Sequence, residues 1–341
     1  MISVKLLLVI AKLHGLNSKS IDFVLAFPQA ELDEDIWMEL PLGFTPLDDP
    51  DNSKKYVLKL NMSLYELKQA SYTWFEKLKA GLKERDFEPS KIDPCLYMKK
   101  GMIVLTYVDD CIIIGMEMKA IDAFVASMQN GPEKFKLTDE GNIDKFLGIE
   151  IKNYPNGEFE LSQTYLIDRI VRYLELDGSG STPHANARFS PAAEKILNKD
   201  TSGKPRKQRW KYRMAVGMLS YLQLNTRPDI SMPVHQTARF SANPMRCHEQ
   251  AITRIGRYLL HSKDRGIYFK LDASKGLECY VDADHAGGWS QTSPHDADNI
   301  YSRTGFVIKY ANCPIFWSSK LQTEIALSTA EAEYIALSSA L

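Results

Sequence analysis

The sequence predicts a mixed α/β protein, of the α+β kind and with more than one domain, on three observations. Apolar runs rich in Val and Ile flank Asp109-Asp110 between Leu105 and Gly115, the pattern of a hairpin with two acids at its tip. Leu64, Leu67, Trp74 and Leu78 fall near helical spacing, and such spacing returns around 165–171. Near the end, strand-like runs at 277–281, 306–310 and 315–317 precede an Ala-rich helical stretch from Leu327. A chain of 341 residues, 44% hydrophobic and 25% charged, has room for two or three such cores.

Each segment follows from its residues. Leu6 to Ala11 is a short apolar run followed by Lys12 and His14 without a small-residue cleavage site, so it reads as a helix packed in a core. No run reaches the ~18 apolar residues of a membrane span. With no secretion signal either, the expected setting is soluble and intracellular. The stretch from Ser20 to Pro28 is apolar apart from Asp22 near its start, and Pro28 ends it. Glu31 to Asp35 and Pro46 to Asp51 read as exposed loop. Residues 63–78 read as a helix, Tyr154-Pro155-Asn156-Gly157 as a turn, and Gly178 to Pro183 as a flexible loop.

Charge excludes little and suggests little. The net charge of −1 does not mark a nucleic-acid binder, so that role has to rest on local clusters. Lys204 to Arg213 mixes cations with aromatics, a composition suited either to phosphate contact with stacking or to a solvated face. Arg254, Arg257 and Tyr258, on a further expected helix, carry the same ambiguity. The five cysteines are scattered without a Cys-x-x-Cys pair, which argues against a zinc knuckle or a disulfide framework. His235, His248 and His261 lack metal-ligand spacing and read as packing or surface residues.

The pair Asp109-Asp110 is the sharpest candidate site. Adjacent like charges on a rigid tip repel, and a divalent cation would remove that repulsion. A solvated acidic turn is the competing reading. Asp22 reads either as a strand-end residue or as a third ligand converging on the pair, since two-metal phosphoryl transfer needs carboxylates around cations ~3.5–4 Å apart.

Motif order sharpens these readings. Asp22 with Ala26-Phe27, then Leu64-Tyr65-Glu66-Leu67-Lys68-Gln69-Ala70, Ile92-Asp93-Pro94-Cys95-Leu96-Tyr97, Tyr107-Val108-Asp109-Asp110 and Phe146-Leu147-Gly148-Ile149-Glu150-Ile151 occur in that order. The order resembles that of reverse transcriptases of copia-type retrotransposons. The match continues through Tyr212 to Gly217 and Thr226 to Ile230. It ends in Tyr280 to Gly287 and Ala330 to Leu337, which resemble that family's ribonuclease H segment.

The resemblance implies a polymerase palm, an antiparallel sheet with helices on one face, over 1–155. It implies a helical thumb or connection over 156–265 and the first half of a ribonuclease H-like domain over 266–341. By the same resemblance, Asp22, Asp109 and Asp110 would hold two Mg²⁺, with Mn²⁺ as a substitute, for RNA-directed DNA synthesis. The expected partners are an RNA or DNA template-primer, deoxynucleoside triphosphates and other segments of the retrotransposon polyprotein, with no membrane. Gln69 and Lys68 would face the incoming nucleotide or the template backbone. Phe27 falls where similar enzymes place an aromatic against the ribose 2′-hydroxyl; a core aromatic is the equal alternative. Asp282 and Glu333 would be ribonuclease H metal ligands, with Asp284 and Glu331 as close competitors.

Departures from the family carry expectations of their own. Only 21 residues precede Asp22, so the fingers region is expected to be missing. Glu66 stands where similar sequences carry Gly, which can take φ > 0. The chain stops at Leu341, soon after Glu333, so the later ribonuclease H acids are expected to be absent and that half-domain inactive, with an unfinished sheet edge. Two readings therefore stand: an enzyme with Mg²⁺-dependent primer extension, or a catalytically inactive relic that binds nucleic acid or a partner.

Overall fold

The computed structural model describes residues 2–44, 56–176, 197, 199, 203–289 and 299–341. The expected loops at Pro46–Asp51 and Gly178–Pro183 lie outside them. The chain divides into two compact units, His14–Ile143 and a second made of Met1–Leu13 with Asp144–Leu341. Both combine helices with antiparallel sheets, the mixed α/β class expected, and the described residues hold eight α-helices.

The His14–Ile143 unit is built on one six-stranded sheet. Its strands are β1 (Asn17–Phe23), β4 (Glu88–Pro89), β5 (Leu96–Lys99), β6 (Met102–Tyr107), β7 (Asp110–Gly115) and β8 (Leu137–Gly141). They lie in the order β4-β5-β6-β7-β1-β8. β2 (Trp37–Glu39) and β3 (Val57–Lys59) form a separate small hairpin. Alternation sets the buried face: Ile21 and Phe23 on β1, Val104 on β6, and Cys111 and Ile113 on β7 point into one core. Helices α2 (Ala70–Lys83) and α3 (Met118–Asn130) close it with Trp74, Leu78 and Leu82 and with Ile121, Phe124, Val125 and Met128.

The predicted helix over 63–78 starts later than its spacing suggests. Glu66 has φ 75°, a left-handed conformation that a continuous right-handed helix cannot contain, and α2 begins only at Ala70. The hairpin is as expected in kind, with a sharper tip. Tyr107 pairs with Asp110, which leaves Val108-Asp109 as a two-residue loop. Val108 takes φ 55° and Asp109 does not, the pattern of a II′-type reversal, which favours Gly at the first position. A β-branched residue there is strained. The indole Nε1–H of Trp74 holds the turn by donating to the Val108 carbonyl at 2.9 Å.

In the other unit, α1 (Ile2–Leu13) buries Val4, Leu7, Leu8, Val9 and Ala11, the core helix that its apolar run predicts. Strands β9 (Lys145–Phe146), β10 (Ile149–Asn153), β11 (Phe159–Ser162) and β12 (Ile267–Phe269) form a sheet in the order β12-β11-β10-β9. The turn expected at 154–157 joins β10 to β11, with Gly157 at φ 84° and its N–H on the Tyr154 carbonyl at 3.1 Å. Helices α4 (Thr164–Tyr173), α5 (Tyr212–Asn225), α6 (Ser231–Ala238) and α7 (Arg246–Leu260) share a second core that includes Ile167, Ile170, Leu219, Ile252 and Leu259.

In the basic-aromatic cluster at 204–213 the aromatics turn inward, while Lys204, Lys207, Arg209, Lys211 and Arg213 stay exposed. Trp210 and Tyr212 belong to that helical core, the Arg206 guanidinium lies over the Trp210 ring at 4.7 Å, and Arg206 pairs with the buried Glu249 at 3.3 Å. Its aromatics are therefore unavailable for stacking on bases. Beyond the helices, β13 (Leu277–Ala283), β14 (Arg303–Tyr310) and β15 (Cys313–Leu321) form an antiparallel sheet, followed by α8 (Thr329–Ala340).

Because Trp74 both fills the core against Phe23 and holds the strained turn, Trp74→Phe is expected to cost about 1–3 kcal/mol in urea unfolding. An unchanged unfolding midpoint would show that the turn does not need the indole.

Candidate active site

Backbone pairing brings the sequence-predicted acids together. β1 runs antiparallel beside β7 in a register that sets Asp22 directly opposite Asp110. The Phe23 N–H donates to the Asp109 carbonyl at 2.8 Å, so the strand end bearing Asp22 is pinned against the hairpin tip. Asp109 senses the charge of Asp22. Burial, then the charge of Asp22, pushes the Asp109 carboxyl up, against a hydrogen bond from Tyr65 that pulls it down. Burial, then Glu140, raises Asp22. One Asp109 oxygen, Oδ1, is buried and accepts no hydrogen bond.

Oxygen donors, raised carboxyls and an acceptor without a hydrogen bond are groups that a hard cation would satisfy. As the side chains stand, however, no group of three or more His, Cys, Asp or Glu among the described residues encloses an ion.

Two neighbours of the acids were not singled out by sequence reasoning. Tyr65 hydrogen-bonds Asp109, and its own hydroxyl is pushed up by burial and by the charges of Asp109 and Asp22. Its ring lies 4.7 Å from that of Phe27. The signal was present, since Tyr65 sits inside the motif that contains Gln69. Nothing in that motif says which side chain turns back toward Asp109. Glu140 is the second, and it also accepts from Ser20 Oγ at 2.9 Å. Its approach depends on β8 pairing with β1, which no spacing in the sequence announces.

The remaining candidates sit around this centre. Phe27 lies in a short 3₁₀ turn (Phe27–Gln29) and is half-buried, one side packed on the core and one on Tyr65. That turn is clamped by Gln29, whose Nε2 donates to the Val24 and Lys136 carbonyls at 2.8 and 2.9 Å. Gln69 occupies the N-cap position of α2, where its side chain makes no capping hydrogen bond. Lys68 is exposed beside it.

In the other unit, Asp282 lies on β13 and Glu333 on α8, which packs on β13 and β14. The Ala283 N–H donates to Glu333 Oε1 at 3.3 Å, so the helix acid reaches the strand beside Asp282. The two competitors have structural duties. Asp284 Oδ1 accepts the Arg303 N–H at 2.5 Å, and Glu331 Oε2 accepts the Leu327 N–H at 2.7 Å while Ser328 caps α8.

Comparison with known proteins identifies the family that this geometry belongs to. Residues 1–185 match the family model described as reverse transcriptase (RNA-dependent DNA polymerase). The chain is 32% identical over 98% of its length to the Retrovirus-related Pol polyprotein from transposon TNT 1-94 of Nicotiana tabacum, and covers 24% of that protein. It is 32% identical over 97% of its length to the Pol polyprotein from transposon RE1 of Arabidopsis thaliana, and covers 21% of it. The putative transposon Ty5-1 protein of Saccharomyces cerevisiae is 30% identical over 92% of this chain, which covers 96% of that protein. The chain thus spans under a quarter of the plant polyproteins it matches. With a family match over residues 1–185 and these relatives, the chain belongs to the copia-type branch of the reverse transcriptase family.

Proposed function

We propose that the chain carries the polymerase centre of an RNA-directed DNA polymerase, with Asp22, Asp109 and Asp110 as its acids. The observation that carries this reading is the cross-strand meeting of Asp22 with the strained Asp109-Asp110 tip. The domain reading that goes with it is a palm over 1–155, a thumb or connection over 156–265 and a ribonuclease H-like segment over 266–341.

Mg²⁺ suits the donor set, since carboxylate oxygens and substrate phosphates make its preferred shell. When bound, two such ions would activate a primer 3′-hydroxyl and neutralise charge on the triphosphate. The chain's own groups would do the rest. Asp22 and Asp109 fix where positive charge can sit, and the rigid turn keeps Asp109 from retreating into solvent. Tyr65 orients the Asp109 carboxylate through its hydroxyl and supports Phe27 through its ring. Phe27 would then exclude a ribose 2′-hydroxyl, while Gln69 and Lys68 would meet the nucleotide or template. Asp282 and Glu333 would hold metal for RNA hydrolysis. Template-primer, deoxynucleoside triphosphates and other polyprotein segments remain the expected partners. Among the described residues, no helix is long and apolar enough to cross a membrane.

A second reading, a catalytically inactive relic that binds nucleic acid or a partner, draws on Glu66, which is held at φ 75° in the motif leading to Gln69.

Primer extension on an RNA template with Mg²⁺ separates the two. The polymerase reading expects extension by the wild type and a loss of at least about a hundredfold in Asp109→Asn. No extension, or equal extension by both, leaves only the relic.

The acid site also sets a pH dependence of stability. Both carboxyls titrate above their ordinary value of 3.8 in the folded chain. The folded state therefore holds its protons to higher pH than the unfolded one, and stability falls as pH rises through that window. Asp109→Asn removes the charge but keeps an acceptor for Tyr65. In chelator, its melting temperature is expected to exceed the wild type's at pH 7 and to match it below the carboxylate range. A variant that melts lower at neutral pH would contradict the repulsion.

A further inference from the structure

Glu140 lies on β8, the edge strand that pairs with β1. The register slips beside it. Asp22 faces Thr138 and Ile21 faces Asp139, but Ser20 faces Gly141. Glu140 and Gly141 therefore oppose Ser20 alone, a β-bulge, a feature that re-aims side chains at sheet edges and beside functional sites. Gly141 takes φ 75° there, a conformation that glycine adopts without a Cβ penalty.

The bend gives two neighbouring acids different duties. Asp139 goes to Lys19, whose ammonium lies 2.6 Å from it and 2.7 Å from Asp122. Successive side chains on a strand point to opposite faces, so Glu140 turns the other way, to the face that Ser20 and Asp22 share. There the buried Ser20 donates from Oγ to Glu140 Oε2 at 2.9 Å. This hydroxyl brings no charge of its own, and Glu140 is otherwise open to solvent. Ser20 and Asp22 stand two residues apart on β1, about 7 Å. The tether thus keeps the Glu140 carboxylate about one such step from Asp22. Its charge is felt there, second to burial in pushing the Asp22 carboxyl up.

A third negative charge aimed at Asp22 and Asp109 adds repulsion, which folding by itself does not favour. A divalent cation reverses the sign of that contribution. Mg²⁺ also gives up its water reluctantly and keeps several molecules of its shell. An acid standing beside its ligands can therefore hold it through those waters as well as by charge. We propose that Glu140 is a positioning residue of the polymerase centre, which strengthens divalent-cation binding at Asp22 without ligating the ion directly. The inference rests on the reading of Asp22 and Asp109 as acids of that centre, and it adds to them a residue supplied by the β8 bulge.

Two substitutions separate charge from tether. Glu140→Gln keeps an acceptor for Ser20 and removes the charge, whereas Glu140→Asp keeps the charge on a side chain one methylene shorter. Titration with Mn²⁺, read by electron paramagnetic resonance, is run on both variants, the wild type and Asp22→Asn. Affinity is expected to fall about three- to tenfold in Glu140→Gln, by less as salt is raised, and to stay within about twofold of the wild type in Glu140→Asp. In chelator, the melting temperature of Glu140→Gln should match or exceed the wild type's, so weaker binding is not lost folding. Equal affinity in the wild type and Glu140→Gln, with binding lost in Asp22→Asn, overturns the role of Glu140 and leaves the polymerase acids standing. Weakening by Glu140→Asp but not by Glu140→Gln also overturns it, since that is the behaviour of a structural tether. No saturable Mn²⁺ binding by the wild type overturns both.

Discussion

The His14–Ile143 unit depends on one strained reversal. Val108 is forced to φ 55° so that β6 and β7 can turn in two residues and leave Asp109 at the tip. A β-branched residue in that region costs of order 1–3 kcal/mol, and the strain persists only because its surroundings over-determine it. Those surroundings are specific. The Trp74 indole holds the Val108 carbonyl, the Phe23 N–H holds the Asp109 carbonyl, and the β1–β7 register sets Asp22 across from Asp110. The same contacts that hold the turn also keep Asp109 within reach of the Asp22 charge. Electrostatic repulsion and backbone strain are thus stored at one point, the usual economy of a functional site.

Much of this was legible in the sequence. Val and Ile on either side of Asp109-Asp110 specify a hairpin, and the order of motifs around it identifies the reverse transcriptase family. What was not legible depended on single backbone conformations or on pairing between distant strands. Periodicity through Leu64 and Leu67 suggested a helix, yet one left-handed residue, Glu66, delays α2 to Ala70. The cluster with Trp210 and Tyr212 left stacking or a solvated face open, because composition cannot say which way a ring points; both rings are core. Tyr65 and Glu140 reach the acids through folding of the motif loop and addition of β8, neither encoded as local spacing.

The second unit shows how a motif can be structural rather than chemical. Thr226-Arg227-Pro228-Asp229-Ile230 looks charged enough to bind something, but Arg227 is 2% exposed and fully employed. Its guanidinium pairs with Asp229 at 2.7 Å and donates to the Ser262 carbonyl at 2.8 Å, and Tyr258 also donates to Asp229. Burial raises the Asp229 carboxyl, but the Arg227 and Tyr258 hydrogen bonds outweigh it and hold it below its usual value. Removing one partner would strand a buried charge, so this motif ties α5 to α7 rather than meeting a ligand. Similar accounting applies to Asp284 and Glu331, whose oxygens are committed to backbone N–H groups. Glu333 shares this trait, since it accepts the Ala283 N–H beside Asp282.

The central claim is that the Asp22–Asp109 repulsion exists to be relieved by a divalent cation. Titration of the chain with Mn²⁺, read by electron paramagnetic resonance at neutral pH, measures this without requiring turnover. The expected result is a saturable site whose affinity drops at least about tenfold in both Asp22→Asn and Asp109→Asn, and is restored to neither by higher salt. Mn²⁺ binding that is absent from the wild type, or equal in the wild type and both variants, would contradict it.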